Sequence, residues 1–129
     1  MDAFDISASG LSAQRTRLDV IAGNIANVET TRTPDGGPYR RLQPVFAARR
    51  RAPGGVETLG LAEDPRPPRM VYQPGHPDAD ADGIVAYPNV NVVEEMVDLV
   101  SATRSYEANA AAFNAAKSMA QRALDLGRA

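Results

Sequence analysis

The clearest pattern of hydrophobic positions lies in the C-terminal part of the chain, from Val92 to Leu124. Apolar residues recur there in alternating steps of four and three, a spacing that predicts a long helix with a coiled-coil stripe. The stripe contains Val92, Met96, Leu99, Tyr106, Ala110, Phe113, Ala120 and Leu124, with Thr103 and Lys117 as polar interruptions. Such a helix would be roughly 50 Å long, which exceeds what a compact domain of this size can cover. We therefore expect part of its surface to contact other molecules.

Both ends of this predicted helix carry residues that often mark helix termini. Asn91 is a typical N-cap, and Glu94 is placed to complete a capping box with it. Near the other end, Gly127 predicts a left-handed residue that closes the helix. We expect Val92 to be the first helical residue.

A second helical pattern runs from Phe4 to Val28. Phe4, Leu11, Leu18 and Ile25 recur every seven residues and form one apolar stripe. The chain therefore predicts two long terminal helices that face each other as a coiled-coil pair.

The segment between the helical patterns has a different composition, because it contains all ten prolines of the chain. Long helices cannot pass through that proline density, whereas short strands can. We predict strands within 39–49, 55–61, 69–73 and 84–87. The predicted fold class is mainly α with a small β-rich, Pro/Gly-rich insert. Its parts are an N-terminal helix in 1–30, the insert in 31–90 and a C-terminal helix in 91–129.

The C-terminal helix carries further apolar residues beside its stripe, at Val93, Val97 and Val100. One partner helix cannot cover both the stripe and these residues. We expect other subunits to bury the surplus through a heterologous contact that does not close on itself, as in a helical polymer.

Composition excludes several function classes. The 129 residues carry a net charge of −2, which gives no reason to expect a nucleic acid partner. The absence of cysteine excludes thiolate metal sites and cysteine nucleophiles. No apolar run reaches the length of a membrane span, so we expect no direct membrane insertion, and Met1 to Asp5 lacks the features of a secretory signal.

Candidate chemical sites are few. Asp78, Asp80 and Asp82 match the opening of a calcium-binding loop, but its twelfth position is Asn89 where a glutamate is required. A solvated acidic turn is the favoured interpretation. His76 is the only histidine, which leaves a zinc site or a catalytic triad without its usual residues. We predict no catalytic residue, no metal and no cofactor.

The chain carries a local patch of positive charge, formed by Arg40, Arg41, Arg49, Arg50 and Arg51. They are compatible with a solvated surface, with a protein contact, or with nucleic acid. The sequence has no nucleic-acid motif that would favour the last of these.

Several motifs at the two ends resemble those of the bacterial flagellar rod and hook protein family. The N-terminal motifs are Ser9–Gln14 (SGLSAQ) and Leu18–Thr30 (LDVIAGNIANVET). The C-terminal motifs are Pro88–Leu99 (PNVNVVEEMVDL) and Arg104–Asn109 (RSYEAN). The resemblance continues through 33–41 and 77–85 and so extends over nearly the whole chain.

The resemblance implies a non-enzymatic subunit of the proximal rod in the flagellar basal body. Its terminal helices would pack into a tube that transmits torque, within the periplasm. The implied partners are copies of itself, other rod proteins, the membrane-ring and hook-basal-body adaptor proteins at the rod base, and the flagellar type III export apparatus, through which it would leave the cell without a cleaved signal peptide. The resemblance also makes Asn24, Asn27 and Thr30 candidate subunit contacts, although simple helix termination explains polar residues there equally well.

The predicted subunit interface therefore combines the two apolar stripes with these polar residues. It consists of Leu11, Leu18, Asn24, Ile25, Asn27, Thr30, Val92, Met96, Leu99, Tyr106, Phe113 and Leu124. One alternative is a helical-hairpin adaptor or chaperone of a secretion system, which would offer the same apolar stripe to a single partner helix. A small hydrolase or metal-dependent enzyme is a second alternative, and the inventory of reactive side chains argues against it.

Overall fold

A computed structural model describes residues 2–51 and 54–128 of the chain. Its elements, in chain order, are α1 (Asp2–Ala26), β1 (Leu42–Ala48), β2 (Val56–Glu63), β3 (Arg69–Tyr72), β4 (Ile84–Tyr87) and α2 (Val92–Arg128). Each of the four strands lies in a segment predicted to be extended, although β2 continues two residues further than predicted. The fold thus has two long terminal helices with a small antiparallel β region between them. Met1 and Ala129, the outer limits of the predicted terminal segments, lie outside the described residues.

The two helices run antiparallel along each other. The rings of Phe4 and Phe113 meet edge to face, with centroids 5.2 Å apart, and Asn24 at the other end of α1 contacts Glu95 near the start of α2. The N-terminus of α1 therefore lies beside the middle of α2. The last turns of α2 extend beyond the end of α1.

Small side chains fill the contact between the helices. Ala13 of α1 and Ala102 of α2 are 4% and 0% exposed. The buried residues of α2 are Glu95, Ala102 and Ala116, each one position before the predicted stripe residues Met96, Thr103 and Lys117, which are exposed. The face of α2 that α1 covers keeps the predicted stripe positions Val92, Leu99 and Phe113, which are partly buried, and at the alternate positions uses the residue before the predicted one. Coiled-coil pairing itself stays a prediction.

The predicted start of α2 is confirmed, and its predicted end is wrong. The Asn91 side-chain oxygen accepts hydrogen bonds from the backbone N–H groups of Val93 and Glu94, at 3.0 and 3.3 Å. The Glu94 carboxylate accepts from Arg66 instead of completing a capping box. Gly127 has no left-handed φ, and α2 continues through it to Arg128. Glycine can also adopt ordinary helical angles, so its presence alone does not end a helix.

The hairpin formed by β1 and β2 packs along α1. The Ser9 hydroxyl donates to the Ile6 carbonyl at 2.7 Å and accepts from the Val56 backbone N–H at 3.0 Å. Gly55 has a φ of 102°, and a Cβ placed on it would lie 2.3 Å from the Ser9 oxygen. The glycine is therefore needed where β2 begins its contact with α1.

The second hairpin, β3 with β4, pairs Arg69 with Tyr87 and Tyr72 with Ile84. Val85 on β4 is fully buried, so one face of this hairpin is covered. Neither helix, in the part of the chain that is described, has the length and apolar character needed to cross a membrane.

Candidate functional site

The most deeply buried polar side chains among the described residues gather where α1, α2 and the β region meet. Glu95, Asn24 and Asp64 are 0%, 1% and 3% exposed. We call this cluster the polar joint. It consists of Asn24, Tyr39, Arg41, Asp64, Arg66, Asn89 and Glu95.

Asn24 connects α1 to the first strand and to α2. Its amide nitrogen donates to the Leu42 carbonyl at 2.9 Å and to a Glu95 oxygen at 3.5 Å. Its amide oxygen accepts from the Tyr39 hydroxyl at 2.7 Å and from the Leu42 backbone N–H at 3.0 Å. Burial raises the pKa of Tyr39, and the nearby Glu95 carboxylate raises it further, so the hydroxyl remains a donor. One buried amide thus satisfies the backbone at the start of β1.

Arg41 is the cation at the centre of the joint. Its Nε donates to the carboxylate of Glu95, and its two terminal nitrogens lie 3.3 Å from oxygens of Asp64 and Asp98. Burial alone would lower the pKa of Arg41, but the hydrogen bonds and charges of Glu95 and Asp64 outweigh it and the pKa is raised. The charge of buried Glu95 is therefore compensated by a fixed cation.

Asp64 and Asn89 hold the segments on either side of β3 and β4. An oxygen of Asp64 accepts from Arg66 at 2.8 Å, and the Asn89 amide donates to the carbonyls of Asp64 and Arg66 at 3.1 and 2.8 Å. The Asn89 oxygen accepts from the Arg41 backbone N–H at 2.8 Å. Hydrogen bonds from Arg66 lower the pKa of Asp64 to about 2, although burial opposes the shift.

The chemistry of the joint is that of a satisfied structural network. Within the described residues, no buried side-chain nitrogen or oxygen lacks a hydrogen-bond partner. The carboxylates of Asp64 and Glu95 accept hydrogen bonds from guanidinium groups, so their oxygens are already occupied by donors of the protein itself. Such networks fix one arrangement of the elements they connect. The joint therefore sets the position of the β region relative to the helix pair.

The residues predicted to form the interface fall into two groups. Asn24 is buried in the polar joint. Most of the others are partly buried within the chain. They are Leu11, Leu18, Ile25, Asn27, Thr30, Val92, Leu99 and Phe113. Asn27 donates to the Gly23 carbonyl at 2.8 Å and accepts from the Thr30 hydroxyl at 3.1 Å. This pair therefore satisfies the end of α1.

The second group is exposed. Met96, Tyr106 and Leu124 are 54%, 39% and 67% exposed. Met96 and Leu124 each belong to a larger apolar surface, because α2 presents two such surfaces that no described residue covers. The outer α2 face consists of Val93, Met96, Val97 and Val100. The α2 overhang is Lys117–Arg128, with Met119, Leu124 and Leu126 as its exposed apolar side chains.

The sequence patterns did not predict the joint, because its side chains come from distant parts of the chain. One signal was present. Glu95 lies seven residues before Ala102 and twenty-one before Ala116, on the same helical face. A glutamate on a face of buried alanines needs a cation nearby.

In the acidic segment after β3, the carboxylates of Asp78 and Asp80 accept hydrogen bonds from other groups of the protein. The Asp78 carboxylate accepts from the Thr31 hydroxyl at 2.6 Å and from Arg32, and the hydrogen bond from Thr31 contributes most to lowering the pKa of Asp78. One oxygen of Asp80 accepts from the backbone N–H groups of Asp82 and Ile84, both at 2.9 Å. Over 2–51 and 54–128, no cluster of acidic or histidine side chains has a metal-binding arrangement.

Two family models match the ends of the chain. One, described as flagella basal body rod protein, matches residues 4–32. The other, described as flagellar basal body rod FlgEFG protein C-terminal, matches residues 81–126. The matched segments contain nearly all of α1 and most of α2.

Similar proteins cover almost the whole chain. The flagellar basal-body rod protein FlgC of Salmonella typhimurium is 48% identical over 131 residues, covering 99% of this chain and 98% of the relative. The protein of the same name from Borreliella burgdorferi is 45% identical over 142 residues, covering 95% and 93%. The one from Bacillus subtilis is 41% identical over 145 residues, covering 98% and 97%.

Proposed function

The chain belongs to the family of flagellar basal-body rod proteins, and from this premise we propose how it builds the rod. It is a structural subunit of the basal-body rod and not an enzyme. It polymerises through its terminal helices into the tubular drive shaft of the proximal rod and transmits torque through packed helices. A role as a secretion adaptor or chaperone is not favoured, because the relatives are named as rod proteins.

The observation that carries this proposal is the uncovered apolar surface of α2. Val93 and Val97 on the outer α2 face are 70% and 64% exposed, and Leu126 on the overhang is 78% exposed. Contiguous apolar patches on soluble proteins commonly mark interaction sites. Because the two surfaces lie at opposite ends of one helix, a neighbour bound to one leaves the other available. That arrangement supports an open polymer.

The polar joint supports the mechanical part of the proposal. Torque that enters through the helices reaches the β region only if the connection between them resists bending. The joint links α1, α2 and the segments beside the strands through buried, fully paired groups. We assign Asn24 to this connection. Met96, Tyr106 and Leu124 are assigned to direct contact between subunits.

The remaining predicted interface residues have an intermediate role in this proposal. They build the helix pair from which the subunit contacts project, and they remain candidates for direct contact through their exposed parts. They are Leu11, Leu18, Ile25, Asn27, Thr30, Val92, Leu99 and Phe113.

The family also suggests the location and partners. We place the subunit in the periplasmic rod, next to other rod proteins and to the membrane-ring and adaptor proteins at the rod base. It would reach that position through the type III export apparatus, without cleavage of a signal peptide.

The test introduces charge on the outer α2 face. A Val97→Lys, Val100→Lys variant should retain its circular dichroism spectrum and melting temperature, because both side chains are exposed. It should fail to enter purified basal bodies in a flagellated bacterium that lacks its own related rod protein. Ala111→Lys, at an exposed position further along α2, is the matched control and should enter normally. Normal incorporation of the double variant would contradict the proposed interface.

A further inference from the structure

Two turns of the β region carry opposite charges. The basic turn, Arg49–Arg51, follows β1, and all three side chains are exposed. None of these arginines forms an ion pair with another described residue. The acidic turn, Asp80–Asp82, precedes β4, and its two carboxylates are also exposed and without ion pairs in the described part of the chain. Each turn thus offers charge that its own molecule does not neutralise.

The turns lie toward opposite ends of α1. The basic turn is beside the N-terminal part of α1, because it lies just before β2, and the backbone N–H of Val56 at the start of β2 donates a hydrogen bond to the Ser9 hydroxyl. The acidic turn is beyond the C-terminal end of α1, because the neighbouring Asp78 accepts a hydrogen bond from Thr31, which follows the last residue of α1, Ala26. Ser9 and Ala26 are separated by roughly 25 Å of helix. A second copy displaced along this axis can bring an acidic turn to a basic turn, whereas one molecule alone cannot.

The surroundings of the two turns are complementary as well. Beside the basic turn lies a cleft of about 530 Å³, which is lined by Ala47, Ala48, Glu57, Leu59 and the three arginines. Leu59 is 63% exposed. Beside the acidic turn, Tyr72 is 68% exposed and lies against the turn, since its ring would be 3.0 Å from a Cβ on Gly83. Each side therefore combines charge with one large uncovered apolar side chain.

The acidic turn is also preorganised. One oxygen of Asp80 is held by the backbone N–H groups of Asp82 and Ile84, which fixes the turn and leaves the other oxygen to accept from a guanidinium. Guanidinium–carboxylate hydrogen bonds are among the stronger and more directional ones. Little conformational freedom would be lost when a partner binds this turn.

We propose that the basic turn of one subunit receives the acidic turn of a second copy of this chain. This inference rests on the proposed polymer and adds a defined contact to it. The contact joins two different surfaces, so it is heterologous and gives the assembly a direction. Exposed ion pairs contribute little affinity, and we expect the charges to select the partner and its register while the apolar helix faces supply affinity.

Cross-linking tests the contact directly, because the natural chain contains no cysteine. Ala48→Cys and Ala81→Cys are combined in one chain, which places a thiol at each turn and retains every charge. Basal bodies are isolated from a flagellated bacterium that lacks its own related rod protein, and are then oxidised. We expect disulfide-linked multiples of this chain on a non-reducing gel. An Ala48→Cys, Ala111→Cys chain has its second thiol on α2 and should give several-fold less product.

Charge reversal separates the proposal from chance proximity. In the double-cysteine chain, changing all three arginines to glutamate should reduce the cross-linked species several-fold. Adding Asp80→Arg and Asp82→Arg to the same chain should restore them, and this recovery excludes misfolding as the cause of the loss.

The outcomes are distinguishable. Incorporation of the double-cysteine chain without cross-links, or with cross-links only to other proteins, would overturn the inference and leave the proposed function intact. Cross-links that do not respond to charge reversal would also overturn it. If the unmodified chain failed to enter basal bodies at all, the proposed function would fail, and the inference with it.

Discussion

At the scale of single residues, the most informative position is Glu95, a charged side chain with no exposed surface. An unpaired buried carboxylate costs several kcal/mol. Arg41 and Asn24 remove that cost by donating to both of its oxygens. Burial of Glu95 is therefore favourable only when α1, α2 and the segment before β1 are arranged so that these hydrogen bonds form.

Glu95→Gln tests whether the stability of the protein depends on this buried carboxylate. The substitution removes the charge and directs an amide donor at a donor of either Arg41 or Asn24, so at least one buried hydrogen bond is lost. We expect the free energy of unfolding to fall by about 2 kcal/mol, measured by urea denaturation with circular dichroism. Glu94→Gln makes the same change at the exposed neighbour and should cost less than about 0.5 kcal/mol. Equal effects of the two substitutions would contradict the structural role of Glu95.

Asp64 gives a pH dependence at the same scale. Its pKa is lowered from 3.8 to about 2, first by hydrogen bonds from Arg66. The unfolded chain therefore takes up a proton at higher pH than the native one. The stability that Asp64 contributes is complete above its unfolded pKa and is lost as the pH falls through the folded pKa. Solvent around half-exposed Arg66 screens the pair, so we expect about 1–2 kcal/mol.

The measurement compares the natural chain with Asp64→Asn at about pH 5.5 and about pH 2.5. The difference in their free energies of unfolding should shrink on acidification, because at about pH 2.5 the unfolded chain has taken up the proton while the folded carboxyl is only approaching its pKa of about 2, so much of the contribution of Asp64 is lost. The comparison isolates Asp64 from the other carboxylates, which titrate in both chains. A difference that grows as the pH falls would show that the sign is wrong.

At the scale of elements, the sequence predicted the helices and strands better than it predicted the contacts between them. The helices and the four strands follow from periodicity and from the distribution of proline, which act over a few residues. Of the face by which α2 meets α1, the heptad spacing predicted Leu99 and Phe113 but missed Ala102 and Ala116, because it placed Thr103 and Lys117 on that face instead. The position of Glu95 indicated a buried charge, but its partners in the joint could not be read from the sequence, since Asn24 and Glu95 are 71 residues apart.

Two glycines of α1 distinguish helix propensity from helix packing. A Cβ on Gly23 would have no heavy atom within 4 Å, whereas a Cβ on Gly10 would lie 2.7 Å from the Asn109 side-chain oxygen. Gly23→Ala should stabilise the protein by about 0.5–1 kcal/mol. Gly10→Ala increases helix propensity by the same amount, but its methyl group forces α2 or Asn109 to move. We therefore expect it to destabilise the protein by about 1 kcal/mol.

Thermal and urea denaturation of the two variants measures the contrast. Combining Gly10→Ala with Asn109→Ala should recover most of the stability, because the second change removes the atoms that the new methyl group would meet. If Gly10→Ala stabilised the chain as much as Gly23→Ala does, the close approach of the helices at Gly10 would be refuted.

At the scale of the whole molecule, the chain divides into a region that is satisfied internally and a region that is not. The joint and the facing sides of the two helices, up to the contact of Phe4 with Phe113, bury their polar and apolar groups against each other, while the outer α2 face stays exposed. Beyond that contact, α2 continues without a partner from α1. Helical stability in proteins comes mainly from packing. The overhang is therefore the part whose order depends most on neighbouring subunits.

Removing the α2 overhang separates folding from assembly. It is roughly 18 Å long, and its large apolar side chains Met119, Leu124 and Leu126 are 63–78% exposed. A chain ending at Ala116 loses little buried surface, so its melting temperature should stay within about 2 °C of the natural value. It should nevertheless be excluded from basal bodies, because the apolar end that a neighbour would cover has been removed. A truncated chain that melts far lower would show that the overhang stabilises the monomer, and one that incorporates normally would remove it from the subunit contact.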